Sequence, residues 1–151
     1  MPTHFKGTES EIRALNTFIK LMRATESMGA RLSNILQSEG LTTSQFGVLE
    51  ALYHLGPLNQ RAISAKILKS GGNITTVIDN LEKRDLVTRE RCPEDRRVVY
   101  ANLTATGKTL IAKYLPLHVK EIEREMNILT PQEQEELGRL CKKLGLGNNT
   151  D

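Results

Sequence analysis

One change of hydrophobic period constrains this chain more than any other feature. Up to Leu81 apolar residues recur at helical spacing, at Leu86 the pattern turns strand-like, and beyond Thr104 helical spacing returns. LVTRER (86–91) reads as a strand and CPEDRR (92–97) as a loop. VVYANL (98–103) reads as a second strand with Val99, Ala101 and Leu103 on one face. The expected fold class is therefore mainly α with a small β-hairpin.

The helices have their own punctuation. Ile12, Leu15, Ile19 and Met22, then Leu32, Ile35 and Leu36, predict one amphipathic helix over 9–38, ended by Gly40. Thr42 with Gln45 forms a capping box for a second helix through Phe46, Leu49 and Leu52, and Gly56-Pro57 stops it. Asn59 caps a short third helix carrying Ile63 and Ile67. Ser70 and Gly71-Gly72 read as a tight turn into a fourth, whose buried face is Ile74, Val77, Ile78 and Leu81. After the hairpin, Thr104 to Gly107 opens a helix through Leu110, Ile111, Tyr114, Ile122 and Met126, with an interruption and kink expected at Pro116. Thr130, Pro131 and Glu133 start a last helix with a Leu137, Leu140 and Leu144 stripe, and GLGNNTD reads as a frayed tail.

Composition narrows the function classes. A length of 151 residues fits one domain, and with 4% aromatics and no Trp the core must be aliphatic. The opening MPTHFKGTESE is polar, and no run approaches the ~20 apolar residues of a membrane span, so a cytoplasmic chain with no membrane partner is expected. Cys92 and Cys141 lie far apart and match no metal-ligand spacing, which implies a reduced compartment and no metal. His4, His54 and His118 are isolated, there is no Gly-rich phosphate loop or nucleophile elbow, and Glu133, Glu135 and Glu136 are helix-surface charges. Neither an enzyme nor a cofactor is implied. The net charge is only +3, but residues 57–97 hold nine Lys/Arg against six Asp/Glu, whereas 121–136 hold six Glu against one Arg. The middle of the chain suits an anionic partner better than its end.

Short helix, turn, longer helix, hairpin is the order of a winged helix-turn-helix, in which the second helix enters the DNA major groove. With the buried face of that helix fixed, Gly72, Asn73, Thr75 and Thr76 face outward near its start, and Asp79 and Lys83 further along. Asn can pair bidentately with adenine, Thr can bond a base or place its methyl against thymine, and Gly permits close backbone approach. The helix N-terminus, which Ser70 precedes, adds amides that suit phosphate. At the hairpin tip Arg96 and Arg97 can reach a narrow minor groove, with Asp95 beside them to brace a guanidinium.

The run LVTRERCPEDRRVVYANLTATG resembles the winged-helix signature of the MarR family of bacterial transcriptional regulators. Its most specific parts are Asp95-x-Arg97, Leu103-Thr104-x-x-Gly107, and Asn73-x-Thr75 with Leu81-Glu82. The resemblance covers roughly the whole chain. It implies a single domain over 1–151, with 9–38 and 104–146 as dimerisation helices and 42–103 as the winged helix-turn-helix. It also implies a homodimer on a pseudo-palindromic operator in double-stranded DNA, with Arg97 in the minor groove, Asp95 as its brace, and residues 70–76 reading bases. Asp85 stands where the pattern has glycine, so a less strained turn is expected there.

Dimerisation has a physical motive too, since one half-site discriminates poorly and the terminal helices carry more apolar surface than a small winged helix can cover. The resemblance further implies release by a small aromatic or phenolic effector bound between the dimer helices and the winged region, with Phe18, Met22, Tyr53 and Tyr114 as candidate lining. Cys92, near Arg89 and Arg91, is the candidate redox residue for an alternative electrophile sensor, and its surroundings resemble the wing of members tied to quinone or phenolic stress. Cys141 reads as a small core or interface residue. A winged helix serving only protein interaction would not need the Asp95-Arg96-Arg97 tip.

Overall fold

The computed structural model describes residues 3–67 and 71–147. Among them the order is α1 (Glu9–Gln37), α2 (Thr43–Leu55), β1 (Leu58–Asn59), α3 (Gln60–Ile67), α4 (Gly71–Lys83), β2 (Val87–Arg91), β3 (Val99–Leu103), α5 (Ala105–Met126) and α6 (Pro131–Leu146). Capping boxes start α1 (Thr8 with Glu11), α2 (Thr42 with Gln45) and α6 (Thr130 with Glu133), each satisfying amides that have no partner within the helix. Asn59 caps α3, its Oδ1 accepting from the Ala62 amide at 2.8 Å.

Helices α1 and α4 end in the same way. At α1 the Leu41 amide donates to the Leu36 carbonyl and the Gly40 amide to that of Gln37, with Gly40 at φ +66°. At α4 the Leu86 amide donates to Leu81 and the Asp85 amide to Glu82, with Asp85 at φ 56°. Both are Schellman ends requiring a left-handed residue. Asp85 therefore does not relax the turn, as expected from its lack of glycine, but takes the left-handed conformation itself. The turn that buries Leu86 dictates the geometry, and the Thr104 hydroxyl donates to the Asp85 carbonyl at 2.6 Å.

The expected hairpin forms, and its register sets Val87 opposite Leu103, Arg89 opposite Ala101 and Arg91 opposite Val99. Leu58 and Asn59 add a third, antiparallel strand against Ala101 and Tyr100, giving the order β1-β3-β2. Two residues are too few for alternation to reveal. The core collects Phe46, Val48, Leu49 and Leu52 from α2, Ile63 from α3, and Ile74, Ile78 and Leu81 from α4. Leu36, Leu41, Leu86, Val87, Ala101, Ile111 and Tyr114 complete it. Each buried aliphatic side chain contributes about 1.5–3 kcal/mol. The start of α5 is pressed against this unit: a Cβ at Gly107 would stand 2.0 Å from the Leu86 carbonyl oxygen, so only glycine fits.

Three local expectations change. Of the expected Ser70-Gly71-Gly72 turn, Gly71 and Gly72 are instead the first residues of α4, and Ser70 lies outside the described residues. Pro116 does not interrupt α5, which runs through it; the carbonyl that Pro116 leaves without a donor belongs to exposed Ala112, where water can reach it. Helix α6 continues through Gly145 to Leu146 before its Gly147 cap, while residues 148–151 of the expected tail lie outside the described residues.

By internal contacts the chain divides into Met1–Leu115 and Pro116–Asp151. Within the second unit the Gln134 amide donates to the Met126 and Leu129 carbonyls at 3.1 and 3.2 Å, fixing the corner before α6. No residue of α6 is buried.

Candidate nucleic-acid interface

Because Ile74, Ile78 and Leu81 are buried, α4 turns Asn73, Thr75, Thr76 and Lys83 to solvent. Gly72 lies in its first turn, where backbone amides lack helical partners. Ser70 lies outside the described residues.

Thr75 is held from two sides. The Gln60 side-chain amide donates to its Oγ1 at 2.5 Å, and the Arg89 guanidinium donates to its carbonyl at 3.3 Å. The same guanidinium pairs with Asp79 at 2.6 Å and with Glu82 at 3.6 Å. Asp79, read from sequence as outward-facing, is thus committed to tying α4 to strand β2. Gln60 and Arg89 were not legible as site residues, because their roles depend on contacts 14 and 15 residues away.

The wing closes on itself. The Cys92 amide donates to the Val98 carbonyl at 2.8 Å, and the Val98 amide to Asp95 at 3.0 Å. The Asp95 carboxylate accepts from the Arg97 backbone amide at 3.0 Å, from its Nε at 3.1 Å and from its terminal nitrogen at 3.3 Å. These Arg97 hydrogen bonds hold the Asp95 carboxyl below the usual carboxylate range. The Arg97 side chain stays 91% exposed, an oriented cation facing solvent. Arg96 is also exposed. Arg61, which sequence reasoning missed, shares with Arg97 a notch of about 360 Å³ between the start of α3 and the wing, lined also by Asn59, Gln60, Val98 and Val99. Two arginines bordering one notch suit a polyanion.

The remaining candidates are dispersed. Tyr114 is buried, with its hydroxyl on the Glu39 carboxylate, and it borders a cavity of about 470 Å³ with Leu110 and Lys113. Phe18, Met22 and Tyr53 are exposed, and Phe18 lines a separate hollow with Phe5 and Leu15. Cys92 is half-buried at the wing base, and Cys141 is exposed on α6 instead of in a core of this chain. Among the described residues no cluster of three or more His, Cys, Asp or Glu could hold a metal ion, and no helix is long and apolar enough to cross a membrane.

Comparison with known proteins agrees with this geometry. The MarR family model matches residues 41–99. The HTH-type transcriptional regulator MhqR of Bacillus subtilis (strain 168) is 37% identical over 134 residues, which is 89% of this chain and 92% of that protein. Among solved structures, Sco3205, a MarR family regulator of Streptomyces coelicolor in complex with DNA, matches with a TM-score of 0.85 at 23% identity. That match covers 95% of this chain and 91% of Sco3205. NadR in complex with 4-hydroxyphenylacetate matches with a TM-score of 0.70 at 24% identity, covering 95% and 97%. The two crystal structures share the fold, the winged helix-turn-helix lies where the family model matches, and the relative from Bacillus is similar over nearly its whole length: the chain belongs to the MarR family of transcriptional regulators.

Proposed function

We propose that this chain acts as one unit over residues 1–151, a cytoplasmic homodimer that represses transcription from a pseudo-palindromic operator. In this reading α4 enters the major groove and contacts DNA through Ser70, Gly72, Asn73, Thr75 and Thr76 at its base-reading start and through Lys83 further along. Arg96 and Arg97 reach the flanking minor groove. The observation that carries it is the wing tip, where Asp95 holds the exposed Arg97 guanidinium in place before any DNA arrives. Orienting a long side chain in advance removes part of its entropy cost on binding.

The homodimer is supported by the apolar faces of α1 and of residues 117–144, which are left open in a single chain. Sco3205, of the same fold, binds DNA. Release by a small aromatic or phenolic ligand is supported by NadR, whose fold holds 4-hydroxyphenylacetate. Such a ligand would fix the separation of the two reading helices away from the half-site spacing. An electrophile sensor is the second reading, favoured by the seat of Cys92 at the pair that closes the wing, where an adduct would displace Arg96 and Arg97.

Selection of bound sequences from random duplex DNA at fixed salt tests the reading. It should yield a two-fold symmetric site with half-sites about one helical turn apart, bound less tightly as salt rises. Recovery of unrelated sequences would refute it. Release by a quinone but not by a phenol, lost in Cys92→Ser, would select the sensor reading; release by both compounds, unchanged in that variant, would select ligand binding.

A further inference from the structure

Helix α1 carries no basic residue in its last turn, so its C-terminal carbonyls lack a local cation. Arg84, the first residue after α4, supplies one from across the fold. Its two terminal nitrogens donate to the carbonyls of Gly40 at 2.9 Å and Glu39 at 3.0 Å. These are the residues of the α1 Schellman end, and Arg84 itself immediately precedes the left-handed Asp85 of the matching α4 end. One guanidinium therefore ties together two helix ends of the same construction. The Glu39 carboxylate accepts the Tyr114 hydroxyl of α5, and Thr104, which leads into α5, bonds the Asp85 carbonyl. The ends of α1 and α4 and the beginning of α5 meet at this corner.

We infer that Arg84 is a positioning residue for the DNA-reading helix: it sets the placement of α4 against α1 through the Glu39 and Gly40 carbonyls and makes no contact with DNA. The inference rests on the operator reading, and deepens it by naming what fixes the reading helix to the arm that leads to the partner. The fork of the guanidinium matters, because two carbonyls on adjacent residues need two donors in fixed geometry, which a lysine ammonium meets less well. Arg84 is exposed, so its loss leaves the core intact.

The test compares the full-length parent with Arg84→Met and Arg84→Lys. In the free proteins, amide hydrogen exchange at Gly40, Leu41, Asp85 and Leu86 should quicken about tenfold in Arg84→Met, less in Arg84→Lys, with core amides of α2 unchanged. On the selected operator, Arg84→Met should bind roughly tenfold more weakly with the parent's salt slope, and should lose less affinity than the parent when the half-sites are moved one base pair apart. Unchanged exchange at both helix ends would overturn the latch, and so would a salt slope reduced by about one, the mark of a lost phosphate contact. A parent that selects no duplex would sink the operator reading, while the exchange comparison would still decide the latch.

Discussion

On α4 the apolar stripe is sealed, with Ile74, Ile78 and Leu81 buried; on α6 a stripe of the same spacing leaves Leu137, Leu140 and Leu144 exposed by 39%, 42% and 65%. Helix α1 resembles α6, burying Leu36 alone among its residues. The difference teaches that periodicity marks a face to be covered without saying what covers it. The faces of the winged region are covered by three helices and a three-stranded sheet together with Leu36 of α1 and Ile111 and Tyr114 of α5, whereas most of α1 and all of α6 leave their apolar residues less than fully buried, a surface the dimer reading assigns to a second copy.

The comparison breaks most directly by truncating one residue from each region. Leu49→Ala should cost about 2–5 kcal/mol of folding stability at any protein concentration. Leu140→Glu should leave the winged-region core amides protected and weaken self-association by roughly 1–3 kcal/mol. Denaturation at several protein concentrations reads both. If Leu140→Glu unfolds the chain and leaves its molecular size unchanged, α6 belongs to an internal core and the contrast is lost.

Within the winged region a smaller contrast separates reading from anchoring. Arg97→Ala should weaken operator binding about tenfold without changing the preferred bases, and Asn73→Ala should relax preference within each half-site. Footprints and affinities of the two variants indistinguishable from the parent would remove both assignments.

Asp85→Gly should stabilise the chain by about 0.5–1 kcal/mol, by relieving a left-handed angle held by an L-residue. A loss of stability in thermal melts would mean that the Asp85 side chain contributes more than its backbone costs. The smallest effect is electrostatic. The folded-state pKa of Asp95 is depressed by Arg97, so the pair is fully formed above the ordinary carboxylate value and is lost only as pH falls through the lower folded value. Carboxyl NMR should give an Asp95 midpoint below 3.8 that returns toward it in Arg97→Ala, with no change in the pair between pH 6 and pH 8. A midpoint unmoved by the substitution would contradict the brace.

The elements with strong local grammar were legible in advance. The caps at Thr42 and Thr130, the Ile74 to Leu81 stripe, the hairpin and its Asp95-x-Arg97 tip all follow from spacing and residue type within a few positions. What escaped depends on distant partners or on geometry that a residue adopts against its preference. Arg89 could be seen as basic, yet not as the tie from Asp79 and Glu82 to the Thr75 carbonyl. Leu58 and Asn59 become a strand only because Ala101 and Tyr100 offer an edge, and Asp85 turns left-handed because the chain must bury Leu86 directly after α4.

The central claim is that two copies of this chain grip one operator, each reading a half-site through α4 and its wing. Analytical ultracentrifugation of the protein with a selected duplex, at fixed salt, tests it most directly when the duplex carries one or both half-sites. The account predicts a free dimer, two chains on the full site, and marked loss of affinity when one half-site is scrambled. A free monomer that binds a single half-site as tightly as the full operator would contradict it.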